Sequence, residues 1–255
     1  MTRLRSILAP WVLAGLLLAI WEIACRALAV PSFLLPPPSE VAVAAAQNLP
    51  LLASSAWNTL SVAIIAWVCA SLAASGIALA VSVNRLAEDA VRPLAVVLQV
   101  TPIVAIAPMV NIWVGLENPE RGVILLAVVV AFFPIFSGAL TGLKAADTDL
   151  ERLFDLYGAG RLQRLLRLRL PSAVPQILEG HKVAAGLAIV GTVVAEFVAG
   201  SGGAQGLGWR IMEASHRLQT ARMLAALFVL AAMALTLYAL LQFGEQIILR
   251  RWRGR

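Results

Sequence analysis

The sequence predicts an all-α integral membrane protein, and three observations predict it. Only 13% of its 255 residues are charged, where a soluble domain carries about a quarter. Hydrophobic residues make up 60% of the chain. They gather into runs that each approach or exceed the roughly 20 residues a helix needs to cross the hydrocarbon layer, and none alternates apolar with polar as a membrane strand would. Six such runs lie near 8–29, 58–83, 94–116, 122–143, 183–200 and 223–249. No connector is long enough for a soluble domain, so residues 1–255 read as one transmembrane domain.

The first span follows a basic start, Arg3 and Arg5, and ends in Ala27-Leu28-Ala29, which imitates a signal-peptide cleavage site. Its length and the intervening Glu22 and Arg26 favour a retained helix, in which those two charges, four apart, pair on one face. The next connector, 30–56, opens "VPSFLLPPPSE"; its three consecutive prolines predict extended backbone. The second span holds "ASLAASGIALA" at 70–80, and both it and the sixth are rich in small residues, which let helices approach closely.

The third span places Gln99, Thr101 and Asn111 among apolar residues, with Pro102 and Pro108. Polar groups inside a span usually face the bundle interior, and prolines release backbone carbonyls. These residues either line a solute path or belong to a kinked packing helix with Gln99 near the headgroups. Pro134 and Ser137 repeat the pattern more weakly in the fourth span. Near the outer end of the fifth, Glu196 either meets solute at an external gate or pairs with Arg210 or Arg217. The following "GSGGAQGLG" at 200–208 is flexible enough to turn sharply or re-enter a cavity, or forms an ordinary loop.

Lys and Arg placement orients the bundle. With both termini in the cytoplasm, fifteen of the twenty cations fall inside and five outside. The largest inside loop is then 144–182, and it holds "GAGRLQRLLRLRLPSAVP" at 158–175. A first short helix is expected from Asp147-Thr148-Asp149, with acids at its positive end, through Leu153, Phe154, Leu156 and Tyr157 to a stop at Gly158. A second is expected from Gly160 to Arg169, with Leu162, Leu165 and Leu166 on one face and Arg161, Arg164 and Arg167 on another, ended by Pro171. Such a pair either lies on anionic lipid or seats its apolar face in a soluble partner.

The chemistry of bond-making is missing. There is no phosphate loop or dinucleotide fingerprint. His181 and His216 have no ligand-spaced neighbours, and Cys25 and Cys69 sit alone in apolar spans. We expect no catalytic, cofactor or metal residue here. A net charge of +6 would suit nucleic acid, but the arginines sit between and after spans, as topology requires.

"GAGRLQRLLRLRLPSAVPQILEG" resembles the cytoplasmic signature loop of ABC importer permeases, with Gly158, Ala159, Leu170, Pro171, Pro175 and Gly180 in register. "PSFLLPPPSEV", "QVTPIVAIAPMVNIWVGL", "AFFPIFSGALTGL" and "AEFVAGSGGAQGLGW" resemble the nitrate/sulfonate/taurine branch. The resemblance implies a MetI-like permease fold and coupling helices, involving Asp149, Leu153, Phe154, Asp155, Leu156, Tyr157 and Arg161, that sit in a groove of a separate ATPase dimer. Pro171 would then redirect the chain into the fifth span. It further implies ATP-Mg used only by that partner, an extracytoplasmic binding protein that delivers solute, and a second copy of this chain around one path. Two positions depart: Arg152 stands where the family carries glutamate, leaving Asp149, Glu151 or Asp155 to substitute, and Gly160 stands for serine. The implied solutes are sulfonates, taurine or nitrate, or equally a pyrimidine precursor of thiamine; the scarcity of cations within spans favours a neutral or aromatic one. The rival readings are an ion-gradient-driven secondary transporter, which needs intramembrane acids or paired broken helices, and a scaffold without transport. Copurification of an ATPase separates them from the importer.

Overall fold

The computed structural model describes residues 2–114, 118–199 and 205–253, and all its regular elements there are helices. Four helices are long and apolar enough to cross a membrane, or up to five when a bent pair counts as one span, by length and composition. α1 (Thr2–Ala27) carries the residues of the first expected span. Glu22 on it pairs with Arg26 at 2.6 Å and also accepts the backbone N–H of Ser39 at 3.0 Å, pinning α1 to the chain beyond the proline run.

The connector 30–56 is not the extended segment its prolines predict. Pro37 is extended, but Pro38 opens a helix, α2 (Pro38–Gln47), at the position where a missing N–H breaks no bond. After Asn48, α3 (Leu49–Ser82) begins nine residues ahead of the expected boundary, at 49 rather than 58. Its alanines at 63, 66, 70, 74 and 78 form one stripe, each at most 1% exposed. Small side chains at this three-to-four spacing let neighbouring backbones come close.

The third expected span, 94–116, is not a single helix. α4 (Arg85–Val100) and α5 (Ile103–Val114) meet at a 100° bend. The cause is local: the residue before a proline is pushed out of the helical region, and Thr101, before Pro102, has φ −70° and ψ 124°. Its hydroxyl donates to the Val97 carbonyl at 2.6 Å, beside the Thr101 backbone N–H that donates to the same oxygen at 3.0 Å and closes the last turn of α4. Pro108, by contrast, lies within α5.

α6 (Pro119–Leu143) is the central helix, packing Ala131, Ile135, Phe136, Ala139 and Leu140 against the α3 stripe. After the loop helices α7 (Thr148–Leu156) and α8 (Arg161–Arg164), a five-residue π turn (Leu165–Arg169) runs directly into α9 (Leu170–Ala199). Pro171 therefore neither ends a helix nor redirects the chain, and the fifth span does not begin at 183. The wide π turn, with Leu170 N–H bonded to Leu165 O, makes room for a proline that would otherwise clash within an α-helix. The expected loop 144–182 shrinks to its first part.

Close backbone approach also joins α6 to α9. A Cβ on Gly138 would stand 2.8 Å from the Gln176 carbonyl, and one on Gly180 would stand 2.7 Å from that of Pro134. Residues 200–204 of the glycine run lie outside the described residues; beyond them comes α10 (Leu207–His216), then α11 (Thr220–Arg253), whose surface is largely exposed apolar side chains.

Candidate functional site

The loop between α6 and α9 is built from short-range signals. The Asp147 carboxylate accepts the N–H of Asp149 at 2.8 Å and caps α7. Gly158, at φ +62°, closes it: the Ala159 N–H reaches back to the Phe154 carbonyl at 3.0 Å, a bond that demands the left-handed conformation glycine tolerates. Gly160 N–H then meets the Gln163 amide oxygen at 3.2 Å, starting α8.

Charge ties the two arms together. Glu151 receives Arg169 at 2.7 Å and Arg164 at 3.3 Å, and Arg164 also binds Asp155. These arginines thus turn inward rather than toward lipid headgroups or a partner. Arg152 makes only an exposed 3.1 Å pair with Asp149. Arg161 and Arg167 stay exposed without a carboxylate partner among the described residues, and apolar side chains of the loop are exposed as well. Leu156 and Tyr157 are 85% and 83% exposed, and Leu153, Leu162 and Leu166 are exposed beside them. An exposed apolar patch of this kind marks a surface for contact with a protein or with the membrane.

The same loop is mechanically continuous with the bundle. α9 leaves it without a break and lies against α6 through Ala173 on Gly142, Gln176 on Gly138 and Gly180 on Pro134. Lys182 then binds Glu245 of α11 at 2.8 Å and Glu179 at 2.6 Å. At the end of α6, Lys144 binds the buried Glu88 of α4 at 2.5 Å. Close backbone contact thus joins α6 to α9, and single ion pairs tie α4 and α11 to them.

Between α4, α6 and α9 opens a cleft of about 430 Å³, lined by Gln99, Ser137, Thr141, Gln176 and Glu179 over Phe133, Pro134 and Leu187. Among the described residues no lysine or arginine lines it. The Gln176 amide oxygen is buried with no hydrogen-bond partner among the described residues.

At the opposite end, Glu196 is 3% exposed. It accepts the Thr59 hydroxyl at 2.9 Å and the Gly208 N–H at 2.7 Å, while Thr59 Oγ1 accepts the Leu207 N–H at 2.8 Å. One carboxylate thereby caps α10 and joins it to α3 and α9. Neither Arg210 nor Arg217 is its partner; both bind Glu213, at 3.0 and 2.9 Å.

Of the five path candidates, Gln99 lines the cleft. Thr101 and Pro102 form the α4–α5 break. Asn111 lies against Gly122 where α5 crosses α6, and Glu196 caps α10, so both stand apart from the cleft. Sequence reasoning missed Thr59, Gln176, Glu88 and Glu245. Gln176 lies between Pro175 and Gly180 and could have been found as a polar residue within an apolar helix; the other three are known only by partners more than 50 residues away.

Residues 72–254 match the family described as binding-protein-dependent transport system inner membrane component. The chain is similar to the formylaminopyrimidine transport permease protein ThiX of Halalkalibacterium halodurans, 31% identical over 260 residues that span 100% of both chains. It is similar to the taurine transport system permease protein TauC of Escherichia coli, 30% identical over 254 residues, covering 95% of this chain and 88% of that one. A chain of the inward-facing MetNI methionine ABC transporter shares the fold, with a TM-score of 0.64 at 19% identity, over 80% of this chain and 97% of that one.

Proposed function

Since this chain belongs to the family of binding-protein-dependent transport system inner membrane components, and is the membrane-spanning permease subunit of an ABC importer rather than an enzyme, we propose that its 148–169 loop is the lever through which a partner ATPase drives the bundle. The exposed apolar face of Leu153, Leu156 and Tyr157 carries this reading: a loop whose two arms are held together by Glu151 offers those side chains to a groove in another protein. ATP-Mg is bound and spent in that partner. Phe154, Asp155, Ala159 and Arg161 border the contact. Leu170, Pro171, Pro175 and Gly180 carry the push into α9. Both termini lie in the cytoplasm, the whole chain acts as one membrane domain, and two copies face each other around one path. Solute arrives on the extracytoplasmic binding protein.

The cleft beside Gln99 is the stretch of that path held by this chain. Its lining of amides and hydroxyls with one carboxylate and no cation suits a neutral, hydrogen-bonding heteroaromatic solute of the aminopyrimidine kind better than a bare sulfonate or nitrate. Such a solute would also satisfy the orphaned Gln176 oxygen, since a buried acceptor without a donor is costly.

The test is copurification of the tagged chain with its ATPase. In the double variant L156E/Y157S, association should fall by roughly thirtyfold or more, as expected when two central interface anchors are lost. The thermal midpoint of the permease alone should not move, because both side chains are already exposed. Undiminished association would remove the lever from these residues.

A further inference from the structure

Beside the cleft, one ammonium serves two carboxylates. Lys182 lies 2.8 Å from Glu245 of α11 and 2.6 Å from Glu179 on its own helix. The two acids are not equivalent. The Lys182 and Glu245 side chains are 11% and 15% exposed, with the Tyr238 ring beside the ammonium. The Glu179 side chain is 56% exposed. Losing Glu245 would deprive a nearly buried cation of its buried partner. Losing Glu179 would not, because Lys182 keeps Glu245. Glu179 is therefore surplus to the packing. Among the described residues it is also the one charged group lining the cleft. Three residues away on the same side of α9, the Gln176 amide oxygen is buried without a partner. Two acceptors thus stand together on α9, while α6 brings the Ser137 and Thr141 hydroxyls and the Phe133 ring.

We propose that Glu179 is the specificity-determining residue of the cleft: with Gln176 it takes the N–H groups of an aminopyrimidine edge, and its charge turns anions away. An aminopyrimidine carries its amine beside a ring nitrogen. When that nitrogen gains a proton from solvent, the two N–H groups run parallel and match a carboxylate as a guanidinium fork does. The amine's second hydrogen is free for Gln176. The serine and threonine hydroxyls can donate to the remaining ring nitrogen. A sulfonate or nitrate offers acceptors only and meets a like charge, which is discrimination by repulsion. The titratable groups around Glu179 are Lys182 and, through it, Glu245 and Tyr238 of α11. His181 packs on Trp67 of α3, and α4 and α6 face the cleft with Gln99, Ser137 and Thr141. The assignment rests on the importer reading and on its aminopyrimidine class of solute, and gives that class a residue.

The experiment titrates the nucleotide-free permease–ATPase complex in nanodiscs, without binding protein, by calorimetry. The probes are 4-aminopyrimidine, pyrimidine, which lacks the amine, and methanesulfonate. The wild type should bind 4-aminopyrimidine roughly tenfold or more tighter than pyrimidine. Its affinity for 4-aminopyrimidine should rise severalfold from about pH 8 to about pH 6, as the ring nitrogen protonates, with pyrimidine insensitive. Glu179→Gln should lose roughly tenfold or more for 4-aminopyrimidine and lose the rise with acid, while pyrimidine is unaffected and methanesulfonate binds better. Glu179→Asp should keep the rise with acid. A Glu179→Gln variant with wild-type affinity and pH dependence would overturn the assignment and leave the aminopyrimidine reading standing. Equal loss of 4-aminopyrimidine and pyrimidine in that variant would overturn it too, since the residue would then only shape the cleft. A wild type that prefers methanesulfonate, or binds none of the three, would overturn the aminopyrimidine reading together with the assignment.

Discussion

Glu151 at the loop and Glu196 at the far end each join separate helices, but they do so in different surroundings. Glu151 keeps 21% of its side chain in solvent and holds two arginines, themselves 22% and 36% exposed. Glu196 is 3% exposed and holds no cation; a hydroxyl and backbone N–H groups satisfy it. The first arrangement keeps a two-armed loop in shape while leaving its apolar face outside. The second fixes α10 onto α3 and α9. Charge pairing near water is weak and forgiving, whereas a buried carboxylate must be fully hydrogen-bonded and becomes costly when any partner is lost. The loop is thus suited to being gripped and moved, and the far end to holding position.

Removing a charged side chain from three environments tests that contrast. Glu196→Ala should do most harm. It strands the Gly208 N–H and the Thr59 hydroxyl in a buried site, for a loss on the order of 3 kcal/mol, read as a lower thermal midpoint of the purified chain. A midpoint close to wild type would mean that water fills the site and that the two ends do not differ in this way. Glu151→Ala should cost several times less stability, because its partners can turn to solvent. It should instead loosen the loop, with ATPase activity less tightly linked to solute uptake; equal destabilisation in the two variants would erase the comparison. Arg152→Ala, which breaks only an exposed pair with Asp149, should change stability by no more than about 0.5 kcal/mol and leave ATPase association intact. A clear loss of association would show that Arg152 contacts the partner directly where the family carries glutamate.

The loop was the more legible region because its rules are local. Asp147 as cap, Gly158 as stop and the exposed apolar side chains after Glu151 each follow from neighbours within a few residues. Pro171 misled for the same reason. A proline predicts a helix end from its own chemistry, and only the π turn beside it, stabilised within a helix packed on α6, lets the helix continue. The prolines at 36–38 misled similarly, since Pro38 sits where a helix accepts one. At the far end nothing local marked Thr59, 137 residues from Glu196.

By itself the sequence determined the helical membrane class and the loop with its capped first helix, but not the bounds of the second, third and fifth spans, because hydropathy, charge placement and Gly or Pro stereochemistry act over a few residues. It also carried the family signature. Only the tertiary structure decided the partners of Glu196, Glu88 and Lys182, the 100° break at Thr101 as one wall of a cleft, and the meeting of Arg210, Arg217 and Arg222 in one pocket. Those depend on which helices touch, and contact between distant segments is settled by how small residues such as Gly138 and Gly180 let backbones approach, a property of pairs of helices and not of either one alone.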